Sequence, residues 1–182
     1  MKKVILIDLD MTITDFHSTF MSIWREKYPE RKIITIQDRK HFKLTDEYPE
    51  EFKEDIKAII NQPSFFANML PIENAINGVH SLLGLNYEVV ICTSPIQTVG
   101  CHSAKWDWVV KNLGAVLAKS MVIAKDKTLI KGDYLLDDRA IVSGLFTPSW
   151  KHILYSQGYN SNIQEKRFSW EMNINELVKL MV

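Results

Sequence analysis

The sequence predicts an α/β fold, in which helices pack on a largely parallel β-sheet and a helical segment follows the first strand. Two observations support this prediction. Short apolar runs alternate with segments of helical periodicity, an order that is typical of βαβ units. The stretch from Phe16 to Leu70 interrupts the alternation, because it contains helical patterns and no clear strand.

The first strand is predicted at Val4–Leu9, a short apolar run that ends in acids. A run of this kind is typical of a strand that is buried on both faces, as in a parallel sheet. Four later runs have the same character, namely Tyr87–Cys92, Met121–Ala124, Tyr134–Leu136 and His152–Tyr155.

Helices are predicted wherever apolar residues recur at intervals of three and four. Two such segments, Phe16–Tyr28 and Thr45–Ile60, lie in the stretch without strands. Three more lie among the strands, at Ile72–Leu85, Ser103–Leu113 and Asn173–Met181. We therefore expect a core formed by residues 1–15 and 71–182, and a helical cap formed by residues 16–70.

The composition is that of one globular domain and limits the possible partners. The chain has 182 residues, and 22 basic side chains balance 22 acidic ones. Zero net charge argues against a nucleic-acid polymer as partner, but it permits a small anionic substrate. No apolar run approaches the ~20 residues of a membrane span or the roughly 7–15 of a secretory signal. The sequence predicts a cytoplasmic protein with no membrane association.

Carboxylates follow two of the predicted strands. Asp8 and Asp10 stand at the end of the first strand, on the same side because strand side chains alternate. Taken alone, they could be a strand followed by an acidic helix cap. Asp137 and Asp138 follow the Tyr134–Leu136 strand, where a simple turn is the alternative. Because ligands bind at the carboxyl ends of parallel strands, four carboxylates there predict a hard cation such as Mg²⁺.

Phosphate-binding groups follow two other strands. Thr93 and Ser94 come directly after Tyr87–Cys92, and Lys127 follows Met121–Ala124. Hydroxyls at a strand end can bind phosphate oxygens, although Ser and Thr are also common turn residues. Lys127 can pair with a phosphate or with the carboxylates, and the alternative is a solvated surface lysine.

These four strand ends together resemble the motifs of the haloacid dehalogenase superfamily of phosphotransferases. The closer resemblance is to the 5′(3′)-deoxyribonucleotidases. It rests on Ile91–Ile96, Lys125–Thr128, Gly132–Asp138 and Thr147–Leu154 in the core, and on Gln37–Phe42 and Pro63–Phe66 in the predicted cap. The resemblance implies a three-layer, Rossmann-like core with a small helical cap.

The resemblance also implies roles for the residues at the strand ends. Asp8 would be the nucleophile that forms an aspartyl-phosphate, and Asp10 would be the general acid and base. Thr93, Ser94 and Lys127 would bind the phosphate. The catalytic residues would thus be Asp8 and Asp10.

A Mg²⁺ ion is the cofactor that the resemblance implies. Its ligands would be the Asp8 carboxylate, the backbone carbonyl of Asp10 and the Asp138 carboxylate. Asp137 would orient a metal-bound water, and the assignment within this dyad could be the reverse.

The predicted cap would supply the base-binding surface. Phe16 and Phe42 fall where the family has pocket aromatics, and the alternative is that they belong to the core of the cap. Two positions depart from the family, because Lys43 and Ile60 replace residues that tend to be aromatic or otherwise apolar in mammalian members. Met11 replaces a glycine that is usual after the second catalytic aspartate.

The predicted function is Mg²⁺-dependent hydrolysis of 5′(3′)-(deoxy)ribonucleoside monophosphates. One alternative is a phosphatase of the same superfamily that acts on another small phosphomonoester, such as a sugar phosphate. A second is a non-catalytic domain that binds a phosphorylated ligand. Members of the family are often dimeric, so a homodimer is possible.

Overall fold

The computed structural model describes residues 2–182, so the predicted core range 1–15 begins one residue outside it. The strands are β1 (Val4–Ile7), β2 (Thr14–Asp15), β3 (Leu70–Pro71), β4 (Glu88–Thr93), β5 (Val122–Ile123), β6 (Tyr134–Asp137), β7 (Lys151–Tyr155) and β8 (Arg167–Phe168). The helices are α1 (Phe16–Lys27), α2 (Lys53–Ile60), α3 (Pro63–Ala67), α4 (Ala75–Gly84), α5 (Cys101–Leu113), α6 (Ala115–Ser120) and α7 (Ile174–Met181).

Six strands form one parallel sheet in the order β5-β4-β1-β6-β7-β8. The predicted α/β class is therefore confirmed. All five predicted strands are present. Most positions of β1, β4, β6 and β7 are buried, as expected for a parallel sheet covered on both faces, whereas β5 at the edge is half-buried. Since β1 lies between β4 and β6, its carboxyl end is flanked by the ends of these two strands, which bear most of the predicted site residues.

A separate two-stranded pair closes the base of the helical segment. β2 and β3 pair antiparallel, with Thr14 opposite Pro71 and Asp15 opposite Leu70. The chain therefore leaves and re-enters the sheet region through adjacent strands. Buried residues of the intervening helices, among them Phe20, Trp24 and Ile56, belong to the same apolar cluster as those of β1 and β4.

The prediction of one helix over Thr45–Ile60 was wrong. The stretch contains two 3₁₀ turns, Leu44–Glu47 and Glu50–Phe52, and only then α2. Pro49 explains the break, because a proline forces the preceding residue out of the helical region. Tyr48 accordingly has the extended values φ −120° and ψ 155°.

Candidate active site

A tight turn after β1 presents the first pair of carboxylates. The carbonyl of Leu9 accepts hydrogen bonds from the backbone N–H groups of Ile13 (2.8 Å) and Thr14 (2.9 Å). The Trp170 indole N–H donates to the carbonyl of Thr12 at 2.6 Å. These bonds hold the turn in place, and Met11 within it takes the left-handed conformation with φ 61°, a conformation that costs a non-glycine residue energy.

Three carboxylates meet at the carboxyl ends of β1 and β6. Asp8, Asp137 and Asp138 are buried, and each offers an oxygen atom within 4.8 Å of the others. The pKa of Asp8 is raised to about 6, because burial and the neighbouring Asp137 and Asp10 raise it more than Lys127 lowers it. Burial followed by the charge of Asp137 also holds the pKa of Asp138 well above its usual range.

Lys127 lies inside this acidic cluster. Its Nζ is 2.7 Å from Asp8 Oδ1 and 2.5 Å from Asp137 Oδ2, and the side chain is buried. Burial lowers the pKa of Lys127, but the carboxylates of Asp8 and Asp137 outweigh burial and leave the pKa above its usual value. The alternative of a solvated surface lysine is therefore wrong for this residue.

A second buried lysine, which the sequence did not single out, lies on the other side of the site. Lys105 extends from α5, and its side chain is 0% exposed. Its Nζ lies 2.7 Å from Asp10 Oδ2 and donates to Thr93 Oγ1 at 2.9 Å. This burial could not be predicted from the sequence, because a lysine on a helix is usually exposed to solvent.

The last residue of β4, Thr93, and the residue after it, Ser94, face the same space. Thr93 is fully buried and accepts a hydrogen bond from Lys105. The hydroxyl of Ser94 donates to the carbonyl of Ala124 at 3.1 Å. Both side chains line the same cavity as Asp8 and Asp10.

The cavity above the carboxylates has a volume of about 320 Å³. Its outer wall includes Phe16, Phe42, Lys43 and Ile60. Phe16 is half-buried and packs edge-on against Phe65, with ring centroids 4.8 Å apart. Phe42 is 47% exposed, although the guanidinium carbon of Arg139 lies 5.2 Å from its ring centre. Part of the Phe42 ring is therefore accessible, whereas Phe16 is partly committed to packing.

The charges at the floor of the cavity fit a divalent cation. The cluster of Asp8, Asp137 and Asp138 contains three carboxylates and the single ammonium group of Lys127. Other basic side chains also line the cavity, namely Arg39, Lys43, Lys125 and Arg139. Asp10 Oδ1 is buried and has no hydrogen-bond partner within residues 2–182. Hard oxygen ligands of this density suit Mg²⁺ or a similar ion.

Comparison with known proteins agrees with this geometry. A profile of the family described as 5′ nucleotidase, deoxy (Pyrimidine), cytosolic type C protein matches residues 2–181. The chain is 32% identical over 166 residues to the human protein named 5′(3′)-deoxyribonucleotidase, mitochondrial, which covers 88% of this chain and 73% of that protein. It is also 29% identical over 185 residues to the human protein named 5′(3′)-deoxyribonucleotidase, cytosolic type. That match covers 96% of this chain and 92% of the human protein.

The chain belongs to this nucleotidase family. It is accordingly a hydrolase. A solved structure of a haloacid dehalogenase superfamily hydrolase from Geobacter sulfurreducens superposes with a TM-score of 0.53 at 12% identity, covering 100% of this chain and 97% of that one. This likeness assigns the superfamily fold to the nucleotidase. Within residues 2–182 there is no helix of the length and hydropathy needed to cross a membrane.

Two further residues line the nucleotidase cavity without having been assigned a role from the sequence. Arg39 is 3% exposed and places its guanidinium carbon 4.5 Å from the ring centre of Tyr159. Tyr159 in turn donates a hydrogen bond from its hydroxyl to Asp138 Oδ2. Because Tyr159 follows Asp138 by 21 positions, no spacing motif could have linked the two.

Proposed function

We propose that this nucleotidase hydrolyses 5′(3′)-(deoxy)ribonucleoside monophosphates to nucleoside and phosphate, with Mg²⁺ as cofactor and through an aspartyl-phosphate. One observation carries the proposal. A buried nucleophile candidate, Asp8, is held by Lys127 at the floor of a cavity whose wall contains an exposed aromatic ring, Phe42. Membership of the family supports a nucleotide as the substrate.

The reaction divides into two displacements at phosphorus. A carboxylate oxygen of Asp8 attacks, the bond from phosphorus to the nucleoside oxygen breaks, and Asp10 gives its proton to that oxygen. Asp10 then takes a proton from water, which attacks the aspartyl-phosphate and releases inorganic phosphate and the free Asp8 carboxylate. The position of Asp10, two residues beyond Asp8 and beside the same cavity, supports this division of labour.

Charge neutralisation provides most of the catalysis in phosphoryl transfer. Lys127 lies beside Asp8 and would bind the phosphoryl oxygens. The hydroxyls of Thr93 and Ser94 would donate to the remaining oxygens, with Ser94 turning away from the carbonyl of Ala124.

The carboxylates of Asp8 and Asp138 and the backbone carbonyl of Asp10 would hold the cation. Mg²⁺ supplies charge stabilisation to the phosphoryl oxygens when it is bound. Hydrogen bonding supports Asp138 over Asp137 as a direct ligand. Asp137 accepts from Lys127 with one oxygen and from the backbone N–H of Arg139 (2.9 Å) with the other, so both of its oxygens are engaged. Asp138 has one oxygen engaged, by Tyr159.

The nucleobase would lie against Phe42, with Phe16 in the same wall of the cavity. Phe42 is the better candidate for stacking because of its exposure. Lys43 and Ile60 are the other residues of this wall, and neither is aromatic. The base would therefore not be stacked between two aromatic rings.

A substrate panel tests the proposal. The purified protein is assayed with all deoxyribonucleoside and ribonucleoside monophosphates at both phosphate positions, and with a set of sugar phosphates. We expect a nucleotide to have the highest kcat/KM. Much faster turnover of a sugar phosphate would contradict the nucleotide assignment and favour the alternative substrate class.

Chelation separates an enzyme from a domain that only binds a phosphorylated ligand. Activity should disappear in EDTA and return with added Mg²⁺. A protein that binds nucleotides but hydrolyses nothing with Mg²⁺ present would overturn the catalytic assignment. The cytoplasmic location and the homodimer remain predictions, and the human relatives are named for two different compartments.

A further inference from the structure

A 3₁₀ turn after β7, Gly158–Asn160, lies against the site and is firmly attached to the core. Asn160 is buried, and its Nδ2 donates to the carbonyls of Asp138 and Tyr155, both at 2.8 Å. The turn therefore keeps a fixed position relative to the end of β6.

The central residue of this turn, Tyr159, contacts Asp138 through its hydroxyl. The phenol donates to Oδ2 of the carboxylate. Asp138 is 2% exposed and lies among other carboxylates. Without the phenol, Oδ2 would be a buried acceptor with no donor from this turn, and the carboxylate would be free to rotate.

The ring of Tyr159 contacts the segment that contains Phe42. Its face carries the guanidinium of Arg39, 4.5 Å from the ring centre. The Phe42 ring packs edge-on against it, with centroids 5.9 Å apart. Arg39 also donates to the carbonyls of His41 (3.0 Å) and Phe42 (2.7 Å). The ring thus supports both the side chain and the backbone of this segment.

The same turn approaches the beginning of that segment closely. A Cβ atom on Gly158 would lie 1.9 Å from the carbonyl oxygen of Ile36, so only glycine permits this approach. The segment from Ile36 to Phe42 therefore rests on Gly158 at one end and on Tyr159 at the other.

We infer that Tyr159 is a positioning residue with two separable parts, a hydroxyl that orients Asp138 for the divalent cation and a ring that seats the Ile36–Phe42 segment over the cavity. The ring part, so far as it concerns substrate, rests on the proposed function. The hydroxyl part requires only that the acidic cluster binds a cation. Residues that orient a metal ligand typically change metal affinity by 10- to 100-fold when they are lost.

Two variants of Tyr159 separate the parts. Tyr159→Phe removes the hydroxyl and keeps the ring, whereas Tyr159→Leu removes both. Affinity for Mg²⁺ alone is measured by titration calorimetry, and order in residues 36–42 by hydrogen exchange. We expect about a tenfold loss of Mg²⁺ affinity in both variants. Faster exchange in residues 36–42 is expected only in Tyr159→Leu.

Gly158→Ala is a second variant that tests how the turn supports the Ile36–Phe42 segment, and it leaves Tyr159 unchanged. The added methyl group should displace Ile36 and accelerate exchange in residues 36–42, while Mg²⁺ affinity stays close to that of the parent. Tyr134→Phe is the matched control, because Tyr134 is also half-buried but lies at the start of β6, away from the carboxylates. It should change neither measurement.

Each part can be overturned separately. Parental Mg²⁺ affinity in Tyr159→Phe would overturn the role of the hydroxyl. Unchanged exchange in residues 36–42 in Tyr159→Leu would overturn the role of the ring. Unchanged exchange in Gly158→Ala would overturn the support that the close approach of Gly158 gives to Ile36. Neither measurement uses a substrate, so a failure to hydrolyse nucleotides would contradict the proposed function and leave these results readable. If nucleotides are substrates, Tyr159→Leu should raise their KM more than that of phenyl phosphate at saturating Mg²⁺.

Discussion

The ammonium of Lys105 lies 2.7 Å from Oδ2 of Asp10 in a fully buried position. The same Nζ donates to Thr93 Oγ1 at 2.9 Å and to the carbonyl of Ser94 at 2.7 Å. Three acceptors around one buried cation fix its position. The lysine therefore sets the orientation of Asp10, whose other carboxylate oxygen has no partner in the described residues.

Replacement of this lysine should affect substrates according to their leaving groups. Lys105→Met leaves Asp10 without its ion pair, so the proposed proton donor loses its orientation. We expect kcat for nucleotides to fall by about 10²-fold or more, within the range for general acid catalysis. Activity on p-nitrophenyl phosphate should fall less, because its leaving group needs no proton. Steady-state assays with both substrates measure the difference.

Lys111→Met is the control for that experiment, because Lys111 lies on the same helix and is exposed. It should match the parent with both substrates. An equal loss on both substrates in Lys105→Met would indicate that the lysine binds the phosphate or supports the fold, and does not act through Asp10.

Asp8→Asn should abolish turnover and preserve the fold. The amide cannot act as the nucleophile, so we expect a fall in kcat of at least about 10³-fold. Since burial raises the pKa of Asp8 to about 6, its charge is unfavourable in the apo protein at neutral pH. The melting temperature in EDTA should therefore be equal to or above that of the parent. The exposed Asp107→Asn serves as the control, and retained activity in Asp8→Asn would require another nucleophile.

Phe42→Ala should weaken nucleotide binding selectively. Stacking of a base on an aromatic ring contributes about 1–3 kcal/mol, so KM for nucleotides should rise about tenfold or more. KM for phenyl phosphate should change less, because this substrate lacks the base. Phe146→Ala removes another exposed ring, one that does not line the cavity, and it should leave both KM values unchanged. A matching rise in both KM values for Phe42→Ala would place Phe42 in cap packing.

His17 should make the protein less stable in mild acid. This side chain of α1 is 4% exposed, and burial, assisted by the charge of Arg39, lowers its pKa. The unfolded chain therefore binds a proton that the folded chain does not, so stability falls as the pH falls below about 6.5. Urea unfolding between pH 7.5 and 5.5 should show a steeper loss for the parent than for His17→Gln. The exposed His102→Gln should follow the parent, and parallel curves for all three proteins would contradict the prediction.

The strand ends of the site could be predicted from sequence because each combines an apolar run with polar residues at its end or shortly after it. This local pattern located Asp8, Thr93, Lys127 and Asp138 at one edge of the sheet, where the structure brings them together. The rule that ligands bind at the carboxyl ends of parallel strands then predicted a single site. The strand order, with β1 between β4 and β6, came from the structure.

The remaining parts depend on contacts between distant segments. Lys105 lies on a helix, and nothing in its periodicity distinguishes a buried lysine from a solvated one. Tyr159 reaches Asp138 through the path of the loop after β7. The two-residue strands β2, β3 and β8 are too short to show any alternation.

The pairing of β2 with β3 has a consequence for the evolution of substrate range. Because the two ends of the intervening segment are already side by side, lengthening or shortening that segment adds little loop-closure entropy to the folding of the sheet. The outer wall of the cavity, where Phe42, Lys43 and Ile60 lie, can therefore accept insertions or deletions at exposed positions without moving the strand ends. Such changes alter the space that is offered to a substrate and leave the carboxylates in place.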